Sequence, residues 1–155
     1  MQPLTPDAIL DAFDAIDRPV VSLPDVTNAT WSELDYLAWR HPTAAIAYMV
    51  VPLPERHVGM VLRLTETRRA AMCDLCYGYD REAGTMMAMV DNWERPRSAH
   101  GLCICSDFGC SEGVRGLKFM YRMGETIPVG RRIERLQAHL ARFSRLITGL
   151  EPTAS

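Results

Sequence analysis

Cys73-Asp74-Leu75-Cys76 and Cys105-Ser106-Asp107-Phe108-Gly109-Cys110 decide how this chain is read. Each stretch holds two thiols at a spacing that one tight turn can aim at a single point. Two such pairs, distant in sequence and joined in space, supply the four ligands of a tetrahedral Zn²⁺. Gly78, just past the first pair, is expected to take the positive φ that the exit of such a turn needs. Backbone N–H groups of the turn are expected to donate to the sulfurs. Cys105 is expected to end a strand and Cys110 to open a helix, whose partly positive N-terminus favours a thiolate. A hairpin knuckle, a second hairpin and a ligand-bearing helix make a treble clef. Residues 77–104, between the pairs, then fold as a hairpin.

Other readings of these cysteines carry less. A thioredoxin-like redox pair needs a strand before Cys73 and a helix after Cys76, whereas a glycine and a predicted strand follow. Small buried thiols without metal need no paired spacing. Cys103 lies two residues before Cys105, so in a strand the two share a face; Cys105 is the better placed ligand, and Cys103 is read as a buried free thiol. His100 is a substitute ligand only if it is not a solvated turn residue. Four thiolates on Zn²⁺ leave a net charge of about −2, which Arg68, Arg69, Arg97 and Arg115 flank and offset.

The chain of 155 residues is one domain by length, with 48 % apolar and 23 % charged residues. That composition builds a core and excludes wholesale disorder. A net charge of −2 weakens a nucleic-acid role carried by phosphate contacts alone. The start, Met1-Gln2-Pro3-Leu4, is neither basic nor followed by a long apolar run, and no stretch approaches the roughly 18 apolar residues of a membrane span. Thiols paired at short spacing without an export signal suggest metal rather than disulfides, and a cytoplasmic protein.

Around the cysteines the elements read as α+β: a small antiparallel sheet, the treble-clef finger and a long C-terminal helix. Thr5-Pro6-Asp7 starts a helix that carries Ile9, Leu10, Phe13 and Ile16 and ends near Asp17. Its exposed side carries Asp7, Asp11 and Asp14, read as solvated carboxylates. Residues 18–29 form a connector, so that residues 1–29 make an N-terminal helix and connector and residues 30–155 the main domain. Thr30-Trp31-Ser32-Glu33 has the form of a capping box and predicts a second helix up to His41-Pro42. Strands are predicted over 44–51 and 58–64 around a loop at 52–56, then over 85–90 and 98–105 around a turn at 92–97. Met87 and Met89 share a strand face that is read as core. A short helix is predicted from Cys110 through Val114, Leu117 and Phe119. Ile133, Leu136, Leu140, Phe143, Ile147 and Leu150 recur at steps of three and four, as on a helix lying along its own core. Too few heptads are present for a coiled coil, so the monomer is favoured. Residues 151–155 are read as a loose tail.

On Trp31-Ser-Glu-Leu-Asp-Tyr-Leu-Ala-Trp-Arg-His-Pro42, Arg69-Ala-Ala-Met-Cys-Asp-Leu-Cys76 and Gly101-Leu-Cys-Ile-Cys-Ser-Asp-Phe-Gly-Cys110, continuing to Gly116, the chain resembles the elongation-factor-G-binding family. That family includes the fusidic-acid-resistance proteins, and the likeness is to its C-terminal treble-clef zinc-finger domain. The resemblance implies one structural Zn²⁺ on Cys73, Cys76, Cys105 and Cys110. It also implies a non-enzymatic protein whose partner is elongation factor G, engaged on the ribosome and helped off it. The chain departs from the resistance proteins in keeping only a short helix of their N-terminal domain and in carrying Cys103.

For such a partner, Arg115, Lys118 and Arg122 are spaced to share one helix face, with Phe119 beside them as an aromatic anchor. The alternative is a zinc module that binds ribosomal RNA directly through the arginines of the last helix. An enzyme with Cys103 as nucleophile and His100 or His41 as base is disfavoured, because three residues along a strand place Cys103 and His100 on opposite faces. No phosphate-cradling glycine loop or HExxH motif is present.

Overall fold

Strands with buried residues on both faces form the centre of the molecule. The computed structural model describes residues 1–65, 68–91, 99–122 and 124–150. Strands β1 (Leu37–Arg40), β2 (Ile46–Pro52), β3 (His57–Leu64), β4 (Thr85–Asp91) and β5 (Ala99–Cys105) form an antiparallel sheet in chain order. β2 shows how one sheet serves two cores. Ala47, Met49 and Val51 face one way and Tyr48 and Val50 the other, all buried.

One face receives α3 (Val129–Thr148), which buries Leu136, Leu140 and Phe143 against Met60, Leu62, Met86 and Ile104. The three-four periodicity of α3 is therefore spent on its own domain. The opposite face is closed over β1–β3 by α1 (Pro6–Asp11) and the chain around it. Thr5 caps α1 by accepting from the Ala8 N–H at 3.2 Å, and Pro6 occupies the first turn. Ile9 and Phe13 are buried, and Phe13 meets Trp39 and Tyr48 edge-on at 6.2 Å. Gly59 admits that ring: a Cβ there would lie 2.5 Å from it.

Four expectations are corrected. α1 ends at Asp11, not near Asp17, and Ile16 is 65 % exposed. The helix expected after Thr30 is a single 3-10 turn, Trp31–Glu33, followed by β1. Thr30 makes no side-chain cap, and Leu37–Arg40 pairs instead with β2 from Leu37↔Val50 to Arg40↔Ala47. Alternation explains the outcome: Leu37 and Trp39 join the α1-side core, while Ala38 packs on the α3 side. The helix from Cys110, α2, stops at Arg115, because Gly116 turns left-handed with φ 76°. Met87 and Met89 lie on the outer face of β4 beside Gly101, while Met86, Ala88 and Val90 enter the core. The turn at 92–97, with Arg97, and the tail 151–155 fall outside the described residues.

Candidate metal centre

The first thiol pair sits on a turn between β3 and β4, and the second links the end of β5 to the start of α2 (Cys110–Arg115). The turn is closed by the Cys73 N–H donating to the Gly78 carbonyl at 2.9 Å and the Tyr77 N–H to the Cys73 carbonyl at 2.9 Å. The Gly78 N–H points at the Cys76 sulfur at 3.4 Å, the expected N–H to sulfur contact. Positive φ falls on Tyr77 (55°), however, and not on Gly78. Gly78 is required for space, since a Cβ there would come within 2.8 Å of the Met120 sulfur and 3.3 Å of Cys76 Sγ. Met120 also fills the place a side chain at Gly113 would need. In the second loop Phe108 takes φ 58°, and Asp107 accepts from the Gly109 N–H at 3.0 Å. Left-handed geometry at a bulky residue is uncommon and costs energy; among the described residues, the non-glycine positions that adopt it both lie in sulfur-bearing loops.

These loops bring Cys73, Cys76, Cys105 and Cys110 together, with all four Sγ atoms buried and within 4.8 Å of one another. Cys73 and Cys110 Sγ are 3.6 Å apart, and Cys76 and Cys105 Sγ 3.7 Å. A disulfide needs about 2 Å. Sulfurs bound at about 2.3 Å around a tetrahedral zinc stand about 3.8 Å apart. The cluster therefore fits a four-thiolate metal site in number, spacing and burial. Hydrogen bonding from Cys105 and then Cys110 pulls the Cys73 and Cys76 thiols below their ordinary range; the same proton sharing pushes Cys110 up. Burial, then the neighbouring Cys110, holds the Tyr36 phenol above its ordinary value, and Tyr36 donates to the Phe108 carbonyl at 2.8 Å.

Cys103 stands apart from this cluster and is half-buried, not fully buried. Its backbone holds the knuckle to the sheet: the Cys103 N–H donates to Asp74 Oδ2 at 2.7 Å, and the Asp74 N–H to the Cys103 carbonyl at 2.8 Å. On the opposite side, β1 braces the second loop, as Arg40 donates to the Ser106 carbonyl at 2.6 Å and lies over the Phe108 ring.

The residues expected beside the finger divide. Arg115 turns inward, bidentate to the buried Asp35 at 2.5 and 3.1 Å, with Gln137 donating to the same carboxylate at 2.9 Å. Lys118 is tied to Asp80 at 2.6 Å and also to Asp107. Arg122 is largely buried against Glu125 at 3.3 Å. With α2 ending at Arg115, these three cations do not share a helix face. Phe119 is 88 % exposed, flanked by Leu117 (59 %) and Tyr121 (51 %). Tyr121 pairs with Tyr79 through reciprocal backbone hydrogen bonds of 2.8 and 2.9 Å, which join this segment to the exit of the knuckle.

Arg68 and Arg69 are exposed. The guanidiniums gathered behind the knuckle are Arg122, expected instead to face a partner, and Arg132 and Arg135, which sequence reasoning did not single out. Arg135 Cζ lies 4.7 Å from the centre of the Tyr77 ring, and that ring meets His139 at 4.9 Å. The three-four spacing of arginines on α3 was a usable signal, but it reads equally as a solvated face.

Comparison with known proteins agrees with this geometry. A search of curated proteins found no match. Among solved structures, that of the fusidic acid resistance protein FusC superposes with a TM-score of 0.52 at 19 % identity, over 59 % of this chain and 44 % of FusC. This chain thus spans less than half of FusC, and the likeness is one of fold. No helix among the described residues is long and apolar enough to cross a membrane. The family model of the FBP C-terminal treble-clef zinc finger matches residues 12–147, so the chain belongs to that family.

Proposed function

We propose that this protein is a cytoplasmic, non-catalytic binding module that holds one structural Zn²⁺ on Cys73, Cys76, Cys105 and Cys110 and engages elongation factor G, aiding its release from the ribosome. Support for the metal is the buried sulfur cluster at zinc-like spacing. Four sulfurs close the coordination shell and leave no position for substrate or water, so the ion acts as a scaffold. Support for the partner is the family and the resemblance to a resistance protein.

The observation that carries a docking role is Phe119. A phenylalanine 88 % exposed, between exposed Leu117 and Tyr121, is an apolar ridge with no covering partner among the described residues. It borders a groove of about 590 Å³ lined by Tyr79, Asp80, Arg81, Glu82 and Lys118. The ridge is not a loose loop, because Tyr121 is stapled to Tyr79, and Lys118 is clamped by Asp80 and Asp107. Among the four residues expected to meet the partner, Phe119 is then the anchor and Lys118 sets its position. Arg115 and Arg122 are turned inward to Asp35 and Glu125 and do not present their charge to a partner. Aromatic anchors on a preorganised support are the usual hot spots of protein interfaces.

The test is a pull-down of purified elongation factor G, with and without ribosomes, by wild type and by Phe119→Ala. Wild type is expected to retain the factor without RNA, and Phe119→Ala to weaken binding at least about tenfold with zinc content unchanged. Retention of ribosomal RNA alone, falling steeply with salt and with no capture of the factor, would instead select the RNA-binding reading.

A further inference from the structure

Behind Cys76 lies a charge imbalance that the described residues do not resolve. Arg122 and Arg135 share a single carboxylate, Glu125, and Arg132 lies close enough to Arg122 to repel its charge. Arg135 Nη2 reaches Glu125 Oε1 at 2.5 Å, and Arg122 Nε reaches Oε2 at 3.3 Å. Arg132 has no ion-pair partner among the described residues. The buried Nε atoms of Arg132 and Arg135 have no hydrogen-bond acceptor among the described residues, and the Arg122 Nε–Glu125 Oε2 contact is not aligned as a hydrogen bond. Three guanidiniums against one carboxylate leave about +2 in a partly buried place, an arrangement that is costly unless something answers it.

The nearest candidate is the sulfur cluster. Met120 Sδ lies 3.9 Å from Cys76 Sγ and 3.9 Å from Arg122 Nη2, so a single thioether separates the cationic group from the thiols. Arg135 rests on the ring of Tyr77, the residue after Cys76. Burial holds the Arg122 guanidinium below its usual range, Arg132 and Arg135 push the same way, and Cys76 and Glu125 oppose them. A four-thiolate zinc carries about −2, equal and opposite to the arginine cluster.

We infer that Arg122, Arg132 and Arg135 are the counter-charge of the metal-loaded cysteine site, so that ion retention at the sulfurs and seating of the first turns of α3 are one coupled event. The inference rests on the reading that the four cysteines hold a divalent ion. Arg132 is the sharpest probe because it has no ion pair to lose. Zinc-loaded wild type, Arg132→Gln and Arg132→Lys are to be compared for the rate of zinc transfer to a chromogenic chelator at low and high salt. Arg131→Gln is the control, one residue away on the same helix, exposed and paired with Glu134. Arg132→Gln is expected to release zinc about tenfold faster at low salt, with the gap narrowing at high salt. Arg132→Lys should recover most of the loss, and Arg131→Gln should match wild type. Arg135→Gln repeats the measurement should Arg132→Gln not fold. Release from both glutamine variants at the wild-type rate, or a lysine variant as leaky as the glutamine one, would overturn the inference. A wild type that binds no zinc would instead overturn the metal reading itself.

Discussion

The two faces of the sheet are closed by different chemistry. Over β1–β3, α1 closes one side with an aromatic cluster of Phe13, Trp39 and Tyr48. Its polar atoms are satisfied locally, as Tyr48 and Trp39 donate to the carbonyls of Val20 and Ser22 at 2.7 Å each. Hydrophobic burial suffices there. On the other side, α3 and the finger combine apolar packing with four thiols, the buried Asp35–Arg115 pair and the arginines behind Cys76. That side places charge where water is scarce, so its stability is tied to partners being present. A 155-residue chain can therefore carry a self-sufficient face and a conditional one on the same strands.

The largest expected break in this contrast is chelation, or Cys110→Ser. Either should empty the site and unfold the finger with the Phe119 ridge, while the Trp39 environment, read by fluorescence, changes little. Cys103→Ser should keep full zinc content; loss of metal in that variant would mean that the ligand set is misassigned. Next comes Asp35→Asn, which leaves Arg115 inside without its carboxylate. A cost of about 3 kcal/mol is expected, measured by denaturant unfolding of the zinc-loaded protein, with weak dependence on salt. Gly59→Ala is the smallest and falls on the other face. Its Cβ meets the Phe13 ring, so about 1–2 kcal/mol should be lost with no change in zinc retention. If Gly59→Ala also speeds zinc release, the two faces are coupled through β3 and their independence fails.

Much of the conditional face was legible because its chemistry is local in sequence. Cys73 and Cys76 announce one turn, Cys105 and Cys110 a strand end and a helix start, and the three-four stripe of α3 its buried side. What was not legible depended on tertiary pairing. Thr30-x-x-Glu33 has the form of a helix start, yet Leu37–Arg40 gains more from β2 than from a lone helix turn. Met87 and Met89 alternate correctly, but alternation alone does not say which set faces inward; Met86, Ala88 and Val90 won that place against α3. The exposure of Phe119 follows from the stop at Gly116, a glycine whose left-handed turn ends α2. Arginines 132 and 135 were hidden by the same ambiguity that surrounds any basic helix, since burial and solvation use one spacing, and Arg122 was read as a partner contact because the helix after Cys110 was expected to run on past Arg115.

The Met120 side chain, wedged where both Gly78 and Gly113 would otherwise carry a Cβ, ties three separated positions into one volume. Divergence within the family should then leave a joint record at these sites. Chains that place alanine at 78 or 113 are expected to carry a shorter residue at 120, and chains that keep methionine there should keep both glycines.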